Sequence, residues 1–200
     1  MNYLAHQLLS GPSRDLRIGG FLGDFVKGPL RGKYPAAIER GIALHRRIDV
    51  FSDHHALVKR SIARLGPDMR RVGGIAIDLC YDHFLARHWH DYHRQPLADY
   101  CAEAYGLWSD YEAVMPPPAL RFYQRARQYD LLHSYRDRDN LQRTLFYVAR
   151  RLSRATPLAE SYPRIHREYR QLQGDFVEFF PQLLAFADNT RRGLASADPN

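Results

Sequence analysis

Apolar residues recur at helical spacing along almost the whole of this 200-residue chain, while strand spacing is nearly absent. No sustained run alternates apolar and polar side chains, and no Asn-Gly or Asp-Gly pair joins two apolar runs, so the marks of strands and hairpins are missing. The apolar positions fall three and four apart instead, as one buried face of a helix requires. The chain therefore reads as all-α. A short first helix carries Leu4, Leu8 and Leu9 behind Asn2. A second, capped by Ser13, carries Leu16, Phe21, Leu22 and Phe25 and stops at Gly28-Pro29. A third follows Pro35 to about Phe51, a fourth starts near Val58, and a long one follows Gly73-Gly74 to about Tyr92. Pro96 opens another helix through Tyr105, Pro116-Pro117-Pro118 interrupts the pattern, and 119–134, 139–154 and 161–188 read as helices beyond it.

No internal repeat and no long polar linker divides the sequence. Residues 1–190 are expected to form a single-domain multi-helix bundle, with 191–200 as a flexible C-terminal tail. Two cysteines, Cys80 and Cys101, exclude a disulfide framework and a four-thiolate zinc site. The N-terminus lacks the basic and apolar regions of a secretory signal, and no stretch reaches the roughly 18 apolar residues needed to span a bilayer. A cytoplasmic location without membrane insertion is the expectation. Lys and Arg number 29 against 22 Asp and Glu, a formal net charge of +7, which favours an acidic partner. Without a Gly-rich phosphate loop, a helix-turn-helix or an aromatic RNA-binding signature, nucleic acid is not the expected one.

Ionisable residues among the hydrophobics carry the functional information. With each helix turned 100° per residue from Ile38, Ile42 falls at about 40° and Ile48 at about 280°, while His45 at about 340° and Asp49 at about 20° lie in the same apolar sector. Counted from Ile75, Leu79 falls at about 40° and Ala86 at about 20°, with Asp78 at about 300° and Asp82 at about 340° inside that stripe. Asp24 lies between Leu22-Gly23 and Phe25-Val26. A buried carboxylate needs a paired charge or a metal, and two of them one turn apart need a proton or cation between them. Two accounts satisfy these residues: a shared metal or catalytic centre, or a buried Arg–Asp network. If the former, imidazole with several carboxylates suits Mn²⁺, Fe²⁺ or Mg²⁺, and hydrolysis is the implied reaction class. His83 is the one member of the histidine run 83–93 placed to approach such a site, and Asp53-His54-His55 could add a ligand or simply form a helix-end turn. Arg143, Arg150, Arg151 and Arg154 belong to an arginine-rich second half, where Arg150-Arg151 offers bidentate phosphate recognition.

Several blocks resemble one known family. They are Met1-Asn2-Tyr3-Leu4-Ala5-His6, Gly23-Asp24-Phe25-Val26-Lys27-Gly28, Leu44-His45-Arg46-Arg47-Ile48-Asp49 and Asp82-His83-Phe84-Leu85, and the likeness extends through Tyr135-Arg136-Asp137 and Arg150-Arg151 to Phe180-Pro181. Together they look like acyl carrier protein phosphodiesterase, the hydrolase that removes the 4′-phosphopantetheine arm from holo-acyl carrier protein. The resemblance implies an HD-phosphohydrolase-like helical fold, manganese dependence and an acidic carrier protein as substrate. It also implies that Asp24, His45, Asp82 and His83 belong to the catalytic metal centre or its immediate surroundings, with Asp24, His45 and Asp82 among the metal ligands, and it adds weight to His6, Asp49 and Asp78 as further ligands. Leu8 stands where the family often has a second histidine. Arg150 or Arg151, with Arg143 and Arg154, would bind the substrate. The alternatives are an HD-type phosphohydrolase of nucleotides or small phosphate esters, and a non-enzymatic helical binding module.

Overall fold

The structure, a computed structural model, describes residues 1–152 and 156–196, and among them there is no strand. Twelve α-helices follow one another: α1 (Tyr3–Leu9), α2 (Arg14–Leu22), α3 (Ala36–His54), α4 (Ala56–Arg64), α5 (Gly73–Arg87), α6 (Trp89–Tyr92), α7 (Leu97–Asp110), α8 (Pro117–Gln128), α9 (Leu131–Ser134), α10 (Arg138–Arg151), α11 (Ser161–Arg167) and α12 (Tyr169–Ser196). They make one all-α domain around one continuous core. No helix among the described residues is long and apolar enough to cross a membrane.

Several boundaries differ from the sequence expectation, each for a local reason. The second helix ends at Leu22 rather than at Gly28-Pro29, because the amides of Phe25 and Val26 both turn back to the Leu22 carbonyl. Asp24 therefore sits on a turn. The long helix to Tyr92 breaks at His88 into α5 and α6. The 119–134 helix breaks at Asp130, whose φ of 45° is left-handed and cannot continue a right-handed helix. The proline triplet opens α8 instead of merely ending the helix before it: Pro117 stands at its start, where the missing N–H removes no helical bond. Of the tail expected at 191–200, residues 191–196 lie in α12 and 197–200 lie outside the described residues.

α5 occupies the centre. From Ala76 to Ala86 every residue except Asp78 is buried, which is the signature of a helix enclosed on all sides rather than one with a single apolar stripe. α12 packs over it with Phe176, Phe179 and Phe180, all fully buried, and Tyr81 meets Phe176 edge to face at 5.4 Å. On the other side, α2 and α3 meet backbone to backbone. A Cβ on Gly19 would lie 2.4 Å from the Ile38 carbonyl oxygen, and one on Gly41 would lie 2.6 Å from the Leu16 carbonyl oxygen. Only glycine permits that approach, and it sets the spacing of the site.

Candidate metal centre

Close packing of α2 and α3 brings the Gly20 carbonyl oxygen 2.8 Å from His45 Nδ1. A carbonyl only accepts, so Nδ1 carries a proton, and a ring with no second proton leaves Nε2 bare. Gly23 makes room for that ring, since a Cβ there would fall 2.2 Å from His45 Cγ. One turn on, Asp49 Oδ2 lies 3.0 Å from His45 Nε2. Its other oxygen lies 3.1 Å from Nε2 of His6, which α1 delivers with its ring stacked on His45 at 3.8 Å between centroids. One ligand atom from each of His6, His45 and Asp49 lies within 4.8 Å of the others. Both histidines are buried, whereas Asp49 is 37% exposed and opens the group to solvent.

A bare imidazole nitrogen facing a carboxylate oxygen sets acceptor against acceptor. Either a second ring proton or a cation must lie between them. That contact is the observation against which a divalent ion can be tested, and the donor set fits one: two imidazole nitrogens and a carboxylate, with carboxylates nearby. His6 is held neutral over the usual range, because burial and the neighbouring His45 push it down to about 4. Burial opposes ionisation of Asp49, but hydrogen bonds to His45 and His6 outweigh it and hold the carboxyl well below the ordinary range. His6 Nδ1 is buried without a partner.

Asp24 flanks this group from the turn after α2, with Oδ1 3.7 Å from His45 Nε2. Arg46 pins that turn by donating to the Val26 carbonyl at 2.8 Å. Tyr3, stacked on Phe122 at 4.2 Å, has its hydroxyl near Asp24; burial and the carboxylate push the phenol well above its usual range, with Arg151 acting in the opposite sense. Asp78 is half-buried and pairs with the α-amino group of Met1 at 3.1 Å, which also lies 3.6 Å from Asp49.

Two expected centre residues do other work. Asp82 is fully buried and accepts the backbone N–H groups of Leu4 and Ala5 at 2.8 and 3.1 Å, so it caps the first turn of α1 from a different helix. His83 is also buried, with Nδ1 donating to the Tyr135 carbonyl at 2.7 Å and Nε2 accepting from the Tyr169 hydroxyl at 2.8 Å. Both of its nitrogens are engaged away from His6, His45 and Asp49. Because α5 is buried all round, an inward-facing position on it does not specify which neighbour it meets. His55 serves as a cap, its Nδ1 accepting the Leu57 amide at the start of α4, while Asp53 and His54 are the last residues of α3.

No carboxylate among Asp24, Asp49, Asp78 and Asp82 is paired with an arginine among the described residues, so the buried Arg–Asp network does not account for them. Of the expected substrate arginines, Arg151 is on the Tyr3 side and Arg150 lies over the Phe146 ring at 5.7 Å. Arg143 lines a separate cavity with Arg87 and Arg136, and Arg154 lies outside the described residues. Sequence reasoning did not find the positioning roles of Gly20 and Gly23. The available signal was glycine inside helical segments, which marks a close approach of two backbones.

Fold and site together define an all-helical protein in which imidazole and carboxylate groups are brought together from different helices. The family model for acyl carrier protein phosphodiesterase matches residues 1–183. Similar proteins named acyl carrier protein phosphodiesterase include one from Klebsiella pneumoniae (strain 342), 34% identical over 94% of this chain and 98% of its own length. Those from Enterobacter sp. (strain 638) and Yersinia pestis are 33% and 32% identical, each over 94% of this chain and 98% of their own length. No solved structure matches the chain. The chain belongs to the acyl carrier protein phosphodiesterase family and is a hydrolase.

Proposed function

We propose that this protein is a metal-dependent, divergent HD-type phosphodiesterase acting in the cytoplasm. It hydrolyses the bond between a carrier-protein serine and 4′-phosphopantetheine, giving apo-acyl carrier protein and free 4′-phosphopantetheine. The gathering of His6, His45 and Asp49 ligand atoms, with His45 Nε2 3.0 Å from Asp49 Oδ2, carries this reading, in a chain whose relatives bear that enzyme's name. His6, His45 and Asp49 would hold a divalent cation, Mn²⁺ first and Mg²⁺ or Fe²⁺ as alternatives, with Asp24 and Asp78 as further carboxylates beside it. When bound, such an ion supplies polarisation of a phosphoryl oxygen and a lower pKa for water.

The chain's own groups do the rest. The Gly20 carbonyl fixes the His45 tautomer, the kind of support that orients a ligating ring. Asp24 is the carboxylate proposed to take a proton from the attacking water. Arg151 supplies a guanidinium for the negative charge that builds on phosphorus-bound oxygens. The net charge of +7 favours approach of an acidic carrier protein.

Intact-mass measurement of holo-acyl carrier protein tests this, with Mn²⁺ and with chelator, beside Asp24→Ala and Asp49→Ala. The expected result is loss of the whole phosphopantetheine mass only with metal and unmutated protein. Asp49→Ala should also lose bound Mn²⁺, which Asp24→Ala keeps. Full turnover under chelation would remove metal from the mechanism. No mass change with any metal would move the substrate to nucleotides or other small phosphate esters.

A further inference from the structure

Four guanidinium-bearing side chains line an open cavity of about 540 Å³ among residues of α5, α10, α11 and α12, and no carboxylate is among its lining residues. They belong to Arg87, Arg138, Arg167 and Arg170, with Tyr169 and His166 beside them. None of the four is ion-paired among the described residues. Like charges held together in this way repel unless an anion lies among them.

Helix polarity sharpens the point. Arg87 and Arg167 close α5 and α11, where a cation meets the negative end of the helix dipole. Arg138 and Arg170 do the reverse: they are the first residue of α10 and the second of α12, at positive helix ends where a basic side chain is unfavourable. Neither local propensity nor an ion pair among the described residues explains those two. Yet Arg138 is firmly positioned. Its guanidinium carbon lies 3.6 Å from the centroid of the Tyr169 ring, and the Tyr169 hydroxyl is fixed by buried His83, itself anchored on the Tyr135 carbonyl. The result is a flat, oriented, unpaired guanidinium facing a positively charged hollow.

We propose that this cavity binds a small molecule carrying a diphosphate group. Planar guanidinium groups recognise phosphate oxygens two at a time, and the volume is in the range of small-molecule sites and larger than orthophosphate needs. Its lining shares no residue with the His6, His45 and Asp49 group, so the inference stands independently of the phosphodiesterase reading. It also gives buried His83 a role, as the positioning residue behind Tyr169 and Arg138.

Calorimetric titration with inorganic pyrophosphate, in chelator and at physiological salt, tests the proposal. Saturable one-to-one binding is expected, at least tenfold weaker in the Arg138→Ala/Arg170→Ala variant and unchanged in Asp49→Asn. Circular dichroism checks that the double variant keeps its helices. If it does not, Arg87→Gln/Arg167→Gln supplies the same readout. ADP in place of pyrophosphate separates the sources: equal affinity points to free diphosphate, tighter binding to an organic diphosphate ester. No saturable heat, or affinity indifferent to both arginine pairs, would overturn the proposal. Loss of binding in Asp49→Asn would transfer the anion to the metal centre, and stronger competition by polyglutamate than by ADP would make the hollow a docking surface for an acidic protein.

Discussion

His45 uses its two nitrogens differently: Nδ1 gives its proton to the Gly20 carbonyl and Nε2 faces Asp49. The ring can occupy that position only because residue 23 lacks a side chain. Gly23→Ala is therefore expected to displace the imidazole while leaving both helices formed. The measurement is Mn²⁺ affinity beside the circular dichroism spectrum. Affinity should fall about 10- to 100-fold, the size of effect seen when a ligand's support is lost, with unchanged helix content. His45 and Asp49 were legible from spacing alone, because i and i+4 share a face on any helix. His6 was not, since a seven-residue helix is too short for its one histidine to stand out from the local pattern.

Among the elements, α1 depends on α5 for its start. Asn2 makes no side-chain cap, and Asp82 supplies the missing acceptor for two amides from across the core. Asp82→Ala is expected to destabilise the protein by about 0.5–2 kcal/mol, the range for a lost cap, read from the denaturant midpoint. Burial pushes Asp82 up to about 7 against the pull of those amides. The native state then holds this proton more tightly than the unfolded chain between about pH 4 and pH 7, so the residue's contribution declines as pH rises through that window. The stability gap between wild type and Asp82→Ala should narrow from pH 5 to pH 8. A gap that widened would mean that the ionised carboxylate is the better cap.

On the scale of the whole molecule, α4 is tied to α12 through Asp175. This buried carboxylate accepts from Ser61 at 2.8 Å, from Arg60 Nε at 2.9 Å and from Arg64 Nε at 2.9 Å. Burial alone would raise its pKa, but those donors, Arg64 first, hold it below the usual carboxylate value. A depressed native pKa contributes stability that is complete above about pH 5 and is lost as acid protonates the group below its unfolded value near 4. Asp175→Asn is expected to lose about 1.5–3 kcal/mol at pH 7, the worth of hydrogen bonds to charged groups, and to lose less on further acidification. Thermal unfolding at pH 7 and pH 3 measures both.

The sequence alone determined the all-α class, the inward direction of His45 and Asp49, and the resemblance to one hydrolase family. Periodicity, charge and motif are properties of neighbouring residues and survive without a fold. Tertiary structure decided which inward groups meet. Asp82 and His83 lie on a helix enclosed on every side, so facing inward left their partners open; one became a cap and the other a support for Tyr169. His6 entered the cluster because α1 packs beside α2 and stacks its ring on His45, and Asp24 joined it because a turn replaced the expected helix. The close approach of α2 to α3 rests on contact between Gly19 and Gly41, and no local pattern records which two glycines will touch.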